Sequence, residues 1–347
     1  MRDAMGLAPI VDLHEDLSYH FMMNGLGRPL TEDVPERQVD LPKYRRAGVK
    51  LVLASIFPLQ PSLNAEMLER DRGAYLLSRI EPTYVAMSPR DLALEHIKFY
   101  YTLAELYDEH LELVTSPEAL EALPDSDRVG LLLHLEGTEA LAEPEDLKLF
   151  YRLGVRSLGL TWNYDTKYAA SCLSKKDYGL TGEGERLVRI ANSLHVMIDL
   201  SHAGPRTCAE VLELSEDPPF FSHANAAAIT DHPRNVGDEL LRHLGRRKGI
   251  VGVTFIRACI GEPFNARQLA LHALHIARTA GAEALALGTD LLGFSEPPED
   301  LRTIEDVHLL GRELKAGGMD QAAIDGLLGD NALRYISSCA EGWARNP

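Results

Sequence analysis

Six side chains of metal-binding kinds stand where short apolar runs end: His14, Asp16, Glu136, His202, His223 and Asp290. The densest pattern is residues 195–226, which read HVMIDLSHAG, PRTCAEVLELSED and PPFFSHANA in turn. A short apolar run leads into a stretch of helical period, with Cys208, Val211, Leu212 and Leu214 on one side, and then into a second short run. Strand, helix and strand joined by so short a crossover make the strands parallel neighbours. Their C-terminal tips, His202 and His223, then lie side by side, an arrangement that suits a metal ion. Either histidine alone would more often be a capped or hydrogen-bonded surface residue; the matched pair is what points to metal.

The other runs end in the same way. Residues 8–13 lead into His14-Glu15-Asp16, and period 2 puts His14 and Asp16 on one face. Further runs end at Glu136 and at Asp290. Bland readings exist for each: a strand-end hydrogen-bond pair, a capping turn at Glu136-Gly137, an N-cap at Asp290. Together, three carboxylates and three imidazoles at one barrel mouth call for a cation. One zinc takes three or four such ligands. Six suit two ions about 3.5–4 Å apart that share a carboxylate and a hydroxide. Loops after the same strands add Asn163, Asn225, Arg234 and Asn235. His134, two before Glu136, reads as a supporting or core histidine before a ligand. Asp12 lies one layer below His14 as its natural partner. His232 sits beside Arg234. The remaining histidines read as structural.

The elements that must position these residues alternate regularly. Apolar runs at 8–13, 49–57, 129–135, 155–161, 249–255 and 284–288 join the two already described. Helical patterns cover 41–48, 64–82, 91–111, 116–123, 144–153, 181–194, 235–244, 267–281, 304–316 and 320–339, and a long loop covers 17–38. Ser116, Pro117 and Glu118 mark a helix start. Eight strands, each followed by a helix, predict an α/β fold: a (β/α)8 TIM barrel with extra helices, one domain over residues 1–347.

The chain has 347 residues, 45% hydrophobic and 25% charged, as in ordinary globular enzymes. A net charge of −17, from 35 basic and 52 acidic residues, argues against a nucleic-acid partner. The four cysteines form no CxxC pair, so no thiolate zinc site is indicated. No apolar leader, membrane span or anchor signal is read, so the expectation is a cytoplasmic protein without a membrane partner.

At these residues the chain resembles the membrane dipeptidase (renal dipeptidase) family, peptidase family M19 of the metal-dependent hydrolases. The resemblance runs through VDLHEDLS, LHLEGTEAL, LGLTWN, GEGERLVRIANSLHVMIDLSHAG, FFSHANAAAITDHPRNVGDELL, LGTDLLGF and GDNALRY. It implies two zinc ions, one held by His14 and Asp16, one by His202 and His223, with Glu136 bridging. It also implies Arg234 on the substrate carboxylate, Asp290 as acid and base, and homodimers. Trp162 stands where the renal type has a histidine that polarises the substrate, with Asn163 next to it; both are placed on the substrate side. The expected reaction is hydrolysis of a dipeptide, D-residues at the C-terminal position included, by a hydroxide that bridges the ions. An N-acyl amino acid deacylase, lactonase or phosphoesterase on the same site is the alternative, and a metal-free binding protein on the same barrel a further one.

Overall fold

The computed structural model describes residues 8–24, 28–58 and 87–343. Its frame is a ring of parallel strands. These are β1 (Ile10–Glu15), β2 (Val49–Ile56), β3 (Leu111–Leu113), β4 (Val129–Leu135), β5 (Val155–Gly159), β6 (Met197–Asp199), β7 (Val251–Val253) and β8 (Leu285–Leu287). Seven of them run in the order β6-β5-β4-β2-β1-β8-β7. Phe220 and Phe221 fill the gap between β6 and β7, bridging Asp199 and Val251 in parallel. There the N–H of Leu200 donates to Phe220 O at 2.7 Å, and the N–H of Phe221 donates to Ile250 O at 2.9 Å. The chain thus forms the expected (β/α)8 barrel, with its sixth stave reduced to two bridging residues.

The helices are α1 (Leu17–Asn24), α2 (Leu41–Ala47), α3 (Pro89–Leu106), α4 (Pro117–Ala122), α5 (Asp146–Arg152), α6 (Gly182–Leu194) and α7 (Pro205–Leu214). After them come α8 (Asp238–Arg246), α9 (Arg257–Ile260), α10 (Ala266–Ala280), α11 (Val307–Ala316), α12 (Gln321–Asp325) and α13 (Asn331–Ala340). Side-chain caps start several of them. Ser116 accepts from Ala119 N, Thr181 from Gly184 N and Asn265 from Gln268 N, each satisfying an orphan N–H of a first turn.

Helices cover the outside of the ring and side chains fill its inside, so the strands are buried on both faces. Every residue of β1 and β4 is buried, the polar Asp12, His14, Glu15 and His134 included, so neither strand shows the alternation of a sheet with one wet face. Close packing also fixes a glycine. A side-chain carbon at Gly288 would lie 1.7 Å from Ser222 O, so β8 passes the sixth stave only with hydrogen there.

Three expectations needed correction. The helical pattern over 91–111 stops at Leu106, and Leu111–Leu113 form β3 against residues 129–131 of β4. That lower half of β4 is open because β5 pairs only from Leu133 onward. The loop expected over 17–38 contains α1. The closing helix expected over 320–339 is α12 and α13 separated by a π-turn at Gly326–Asp330. The helix expected at residues 64–82 lies outside the described residues.

Candidate metal centre and active site

Alternation along the strands and their shared direction bring the six residues to one rim. β1 delivers His14 and, one step past its end, Asp16. β4 delivers Glu136, the turn after β6 delivers His202, and the sixth stave delivers His223. Asp290 follows β8, and its N–H donates to His14 O at 3.0 Å, tying that end to β1. His202 and Asp290 sit in the left-handed region, with φ of 67° and 64°. Asp and His enter that region more readily than most residues, and strain of this kind gathers at functional sites.

The side chains meet closely. His14 Nε2 lies 3.5 Å from Glu136 Oε2, 3.6 Å from Asp290 Oδ1 and 4.0 Å from Asp16 Oδ1. Glu136 Oε1 lies 3.2 Å from His202 Nε2 and 3.7 Å from His223 Nε2. Three overlapping triads result: His14, Asp16 and Glu136; Glu136, His202 and His223; His14, His223 and Asp290. Glu136 belongs to the first two and so joins the His14–Asp16 pair to the His202–His223 pair, while Asp290 stands against His14 and His223.

The outer nitrogens fix the ring states. His202 Nδ1 lies 2.8 Å from Asn163 Oδ1, so its proton is placed there. His223 Nδ1 lies 2.7 Å from Ser222 Oγ. That hydroxyl already donates to Asp199 Oδ2 at 2.5 Å, so it accepts the His223 proton. Both Nε2 atoms are then bare lone pairs, yet they stand 3.0 Å apart. Two acceptors aimed at each other and at Glu136 need a cation between them. His14 Nε2 and Asp16 Oδ1 are buried with no hydrogen-bond partner among the described residues. The donor set of nitrogens and carboxylate oxygens suits zinc, so the residues fit the metal the sequence implied.

The electrostatics agree. Burial works against charge on His14, but the carboxylates of Glu136, Asp16 and Asp290 outweigh it and raise its pKa to about 10. Burial also resists charge on Glu136, and there His14 and His202 prevail, holding it well below the usual carboxylate range. Burial, then the charge of Glu136, raises Asp16 to about 6. Burial, then Asp16, pushes Asp290 well above its ordinary value. Burial, then Arg234, lowers His202 to about 4, a neutral ring ready to ligate. In the metal-free chain a proton on His14 stands in for the cation.

Other expectations sort themselves by position. Asp12 lies below His14 as expected; its Oδ1 accepts from Thr289 N at 2.8 Å and His14 N at 3.2 Å. His134 stays out of the triads. Its Nε2 faces Asp199 Oδ2 at 3.4 Å and its ring packs edge-on to His14, with centroids 5.5 Å apart. Asn163 was placed on the substrate side, but its side-chain oxygen is engaged behind His202. Trp162 lies with its ring 5.9 Å from His202 and 5.0 Å from Phe57, an apolar flank of the site. His232 Nδ1 accepts from the Arg234 N–H at 3.2 Å, fixing the turn that carries Arg234.

Arg234 is 8% exposed, and its side chain hydrogen-bonds only to His223 O, at 3.3 Å. Among the described residues no carboxylate stands within ion-pair distance of it. A buried guanidinium left without a counter-charge is costly unless a ligand supplies one.

Sequence reading missed Ser55 and Ser18, and took His96 only as one of the structural histidines. Ser55 Oγ donates to Glu136 Oε2 at 3.3 Å, and Ser55 O accepts from Ser18 Oγ and Tyr100 Oη. Ser18 Oγ in turn lies 2.6 Å from His96 Nδ1. No motif marks such serines.

Comparison with known proteins follows from this geometry. The sequence model of the membrane dipeptidase family, peptidase family M19, matches residues 1–346. Human dipeptidase 3 is 32% identical over 311 residues, which are 86% of this chain and 63% of that protein. Dipeptidase verJ of Clonostachys rogersoniana is 33% identical over 253 residues, 72% of this chain and 65% of that protein. The chain therefore spans about two thirds of the length of these relatives. Among solved structures, a metallo peptidase from Rhodobacter sphaeroides, liganded with a phosphinate mimic of the dipeptide L-Ala-D-Ala, superposes with a TM-score of 0.82. The identity is 22%, over 95% of this chain and 99% of that one, a likeness of fold.

Proposed function

This chain belongs to the membrane dipeptidase family, peptidase family M19, and we propose that it is a two-zinc dipeptidase. Its substrate is a dipeptide with a free C-terminal carboxylate, D-residues at that end included. The observation that carries the reading is the facing pair of bare Nε2 atoms on His202 and His223, 3.0 Å apart beside Glu136. It gains from the phosphinate dipeptide mimic bound by the Rhodobacter sphaeroides peptidase of like fold.

His14 and Asp16 would hold one ion, His202 and His223 the other, and Glu136 both. Bound zinc supplies Lewis acidity and lowers the pKa of a water to about 7. The protein residues do the rest. Asn163 and Ser222 keep the protons of His202 and His223 away from the centre. Arg234 takes the substrate carboxylate through its planar fork and so sets which amide bond reaches the rim. Asp290, a carboxylate made more basic than usual by burial and by Asp16, would accept a proton from the attacking water and return it to the leaving amine.

Hydrolysis of N-acyl amino acids is the second reading. It uses the same Arg234 contact, and the apolar flank of Trp162 and Phe57 favours an uncharged acyl group there. Among the described residues no helix is long and apolar enough to cross a membrane. The homodimer and the cytoplasmic setting remain part of the proposal, for sedimentation velocity and cell fractionation to check.

The test is metal analysis of protein purified without chelator, followed by turnover of L-L and L-D dipeptides and N-acyl amino acids. Two zinc ions per chain and turnover of at least one dipeptide class are expected. A chain that binds no zinc on addition and cleaves nothing in the panel removes the proposal. Arg234→Ala should raise KM by roughly 10–100-fold for carboxylate substrates, the size of one lost charge-assisted contact.

A further inference from the structure

Beyond Arg234 lies a cavity of about 220 Å3 between the barrel wall and helices α7 and α8. His202 and Arg234 line it on the side of the metal centre. Leu200, Phe221, Val236 and Leu240 form much of the remainder. Two thiols also line it, Cys172 and Cys208. Burial raises the pKa of both, so they present themselves as neutral, weakly polar groups. Exposed Glu239 also lines it.

The volume decides what fits. Pockets that enclose whole small ligands run to roughly 300–1,000 Å3, and a water in the liquid occupies about 30 Å3. This cavity is too small for a dipeptide and ample for one side chain. Its one cationic neighbour is the Arg234 guanidinium, buried and without a counter-charge. The occupant therefore carries a carboxylate at the Arg234 end and apolar atoms beyond it. A charged side chain would leave its hydration for an apolar wall, and an acidic one would also meet Glu239.

Resting on the reading of the site as a dipeptidase centre, we propose that this cavity receives the side chain of the substrate's C-terminal residue and selects an aliphatic one of about leucine size. Arg234 grips the carboxylate of that residue at the cavity mouth, and Leu240 on α8 sets the depth. The cavity, and not the metal centre, then distinguishes one leaving amino acid from another.

The test separates binding from turnover. Binding of free leucine (both enantiomers), glycine and aspartate to the zinc-reconstituted full chain is measured by calorimetry. The better leucine enantiomer should bind roughly tenfold or more tighter than glycine, as burial of its four carbons implies, with aspartate weakest. In Leu240→Trp the leucine advantage should vanish while glycine binding stays within about threefold. If that variant fails to fold, Leu240→Ala is read instead and should gain affinity for phenylalanine. Equal binding of leucine and glycine, or variants that change both alike, would overturn the proposal. Dipeptide turnover is scored apart: leucine selectivity without hydrolysis sinks the dipeptidase reading, and hydrolysis without leucine selectivity sinks the cavity assignment alone.

Discussion

The barrel carries two polar regions that solve the burial problem in opposite ways. At the rim, His14, Asp16, Glu136, His202, His223 and Asp290 crowd together, His14 Nε2 and Asp16 Oδ1 without hydrogen-bond partners and the Nε2 atoms of His202 and His223 facing each other. In the shell beneath and behind, Asp12, Asp199, Ser222, Ser18 and His96 are linked by ordinary short hydrogen bonds. Asp12 accepts from Thr289 N and His14 N, and Ser222 donates to Asp199. The carboxylates and hydroxyls of the shell all find protein partners, whereas at the rim both His14 nitrogens and Asp16 Oδ1 have none among the described residues. Buried polar groups are satisfied almost everywhere in folded proteins, so a cluster of unsatisfied ones marks where a ligand goes. The contrast shows in titration too. Burial alone lowers His96 to about 3, while the rim carboxylates overcome burial and lift His14 to about 10.

The sharpest break of this contrast is at Glu136, the residue common to both halves of the rim. Glu136→Gln keeps the size but removes the charge that faces three histidines. Bound metal should fall below the proposed two ions per chain, to one or none, and kcat/KM should drop by roughly 1,000-fold or more, as loss of a metal and its electrostatic stabilisation implies. Metal analysis and steady-state kinetics check both. A variant that kept two ions would show that Glu136 does not join them. Asp290→Asn separates proton transfer from ligation. Zinc content should hold, while kcat should fall about 100–10,000-fold, the range of general acid–base catalysis. Near wild-type turnover would remove Asp290 from the reaction.

The shell should answer differently, because it acts through the ligands it holds. Ser222→Ala removes the acceptor that keeps the His223 proton on Nδ1. Zinc affinity should weaken about 10–100-fold while the fold remains, as for other partners that orient metal ligands. Competition with a chelator measures the first, and circular dichroism the second. Unchanged affinity would make the Ser222–His223 contact incidental.

The rim was legible in the sequence because strand direction and period 2 turn scattered residues into neighbours. His202 and His223 stood out by repeating one strand-end pattern twice. The shell was not legible. Ser18, Ser55 and Ser222 belong to a residue type common in every context, and their roles depend on what faces them across the barrel. Asn163 was assigned toward the substrate because a loop's sequence gives its place at the rim and not the direction of its side chain. β3 was hidden because three residues after a long helix carry too little alternation to stand apart from it. The cavity behind Arg234 depends on packing between α7, α8 and the sixth stave, which no single segment records.

The smallest effect is set by His96, and its sign follows from linkage. Burial lowers the pKa of this ring from 6.5 to about 3, so the folded protein keeps it neutral across the mildly acid range. The unfolded chain takes up the proton near 6.5 and the folded chain only near 3. Between those values the unfolded state binds more protons, and stability falls as the pH drops. Above 6.5 His96 contributes no pH dependence. Lowering the pH from 7 to 5.5 should therefore cost about 1 kcal/mol through this one residue. In His96→Gln, which keeps a donor for Ser18 and cannot titrate, that share of the loss should disappear. Denaturant unfolding of metal-free wild type and variant at the two pH values measures it, with the difference of differences isolating His96. His14 works in the opposite sense, because its raised pKa supports the metal-free fold below 6.5 and loses that support as the pH climbs toward 10. The subtraction cancels this, since both proteins carry His14. A variant whose acid sensitivity matched the wild type would mean that His96 gains its proton while folded, and that the shell around it opens to water.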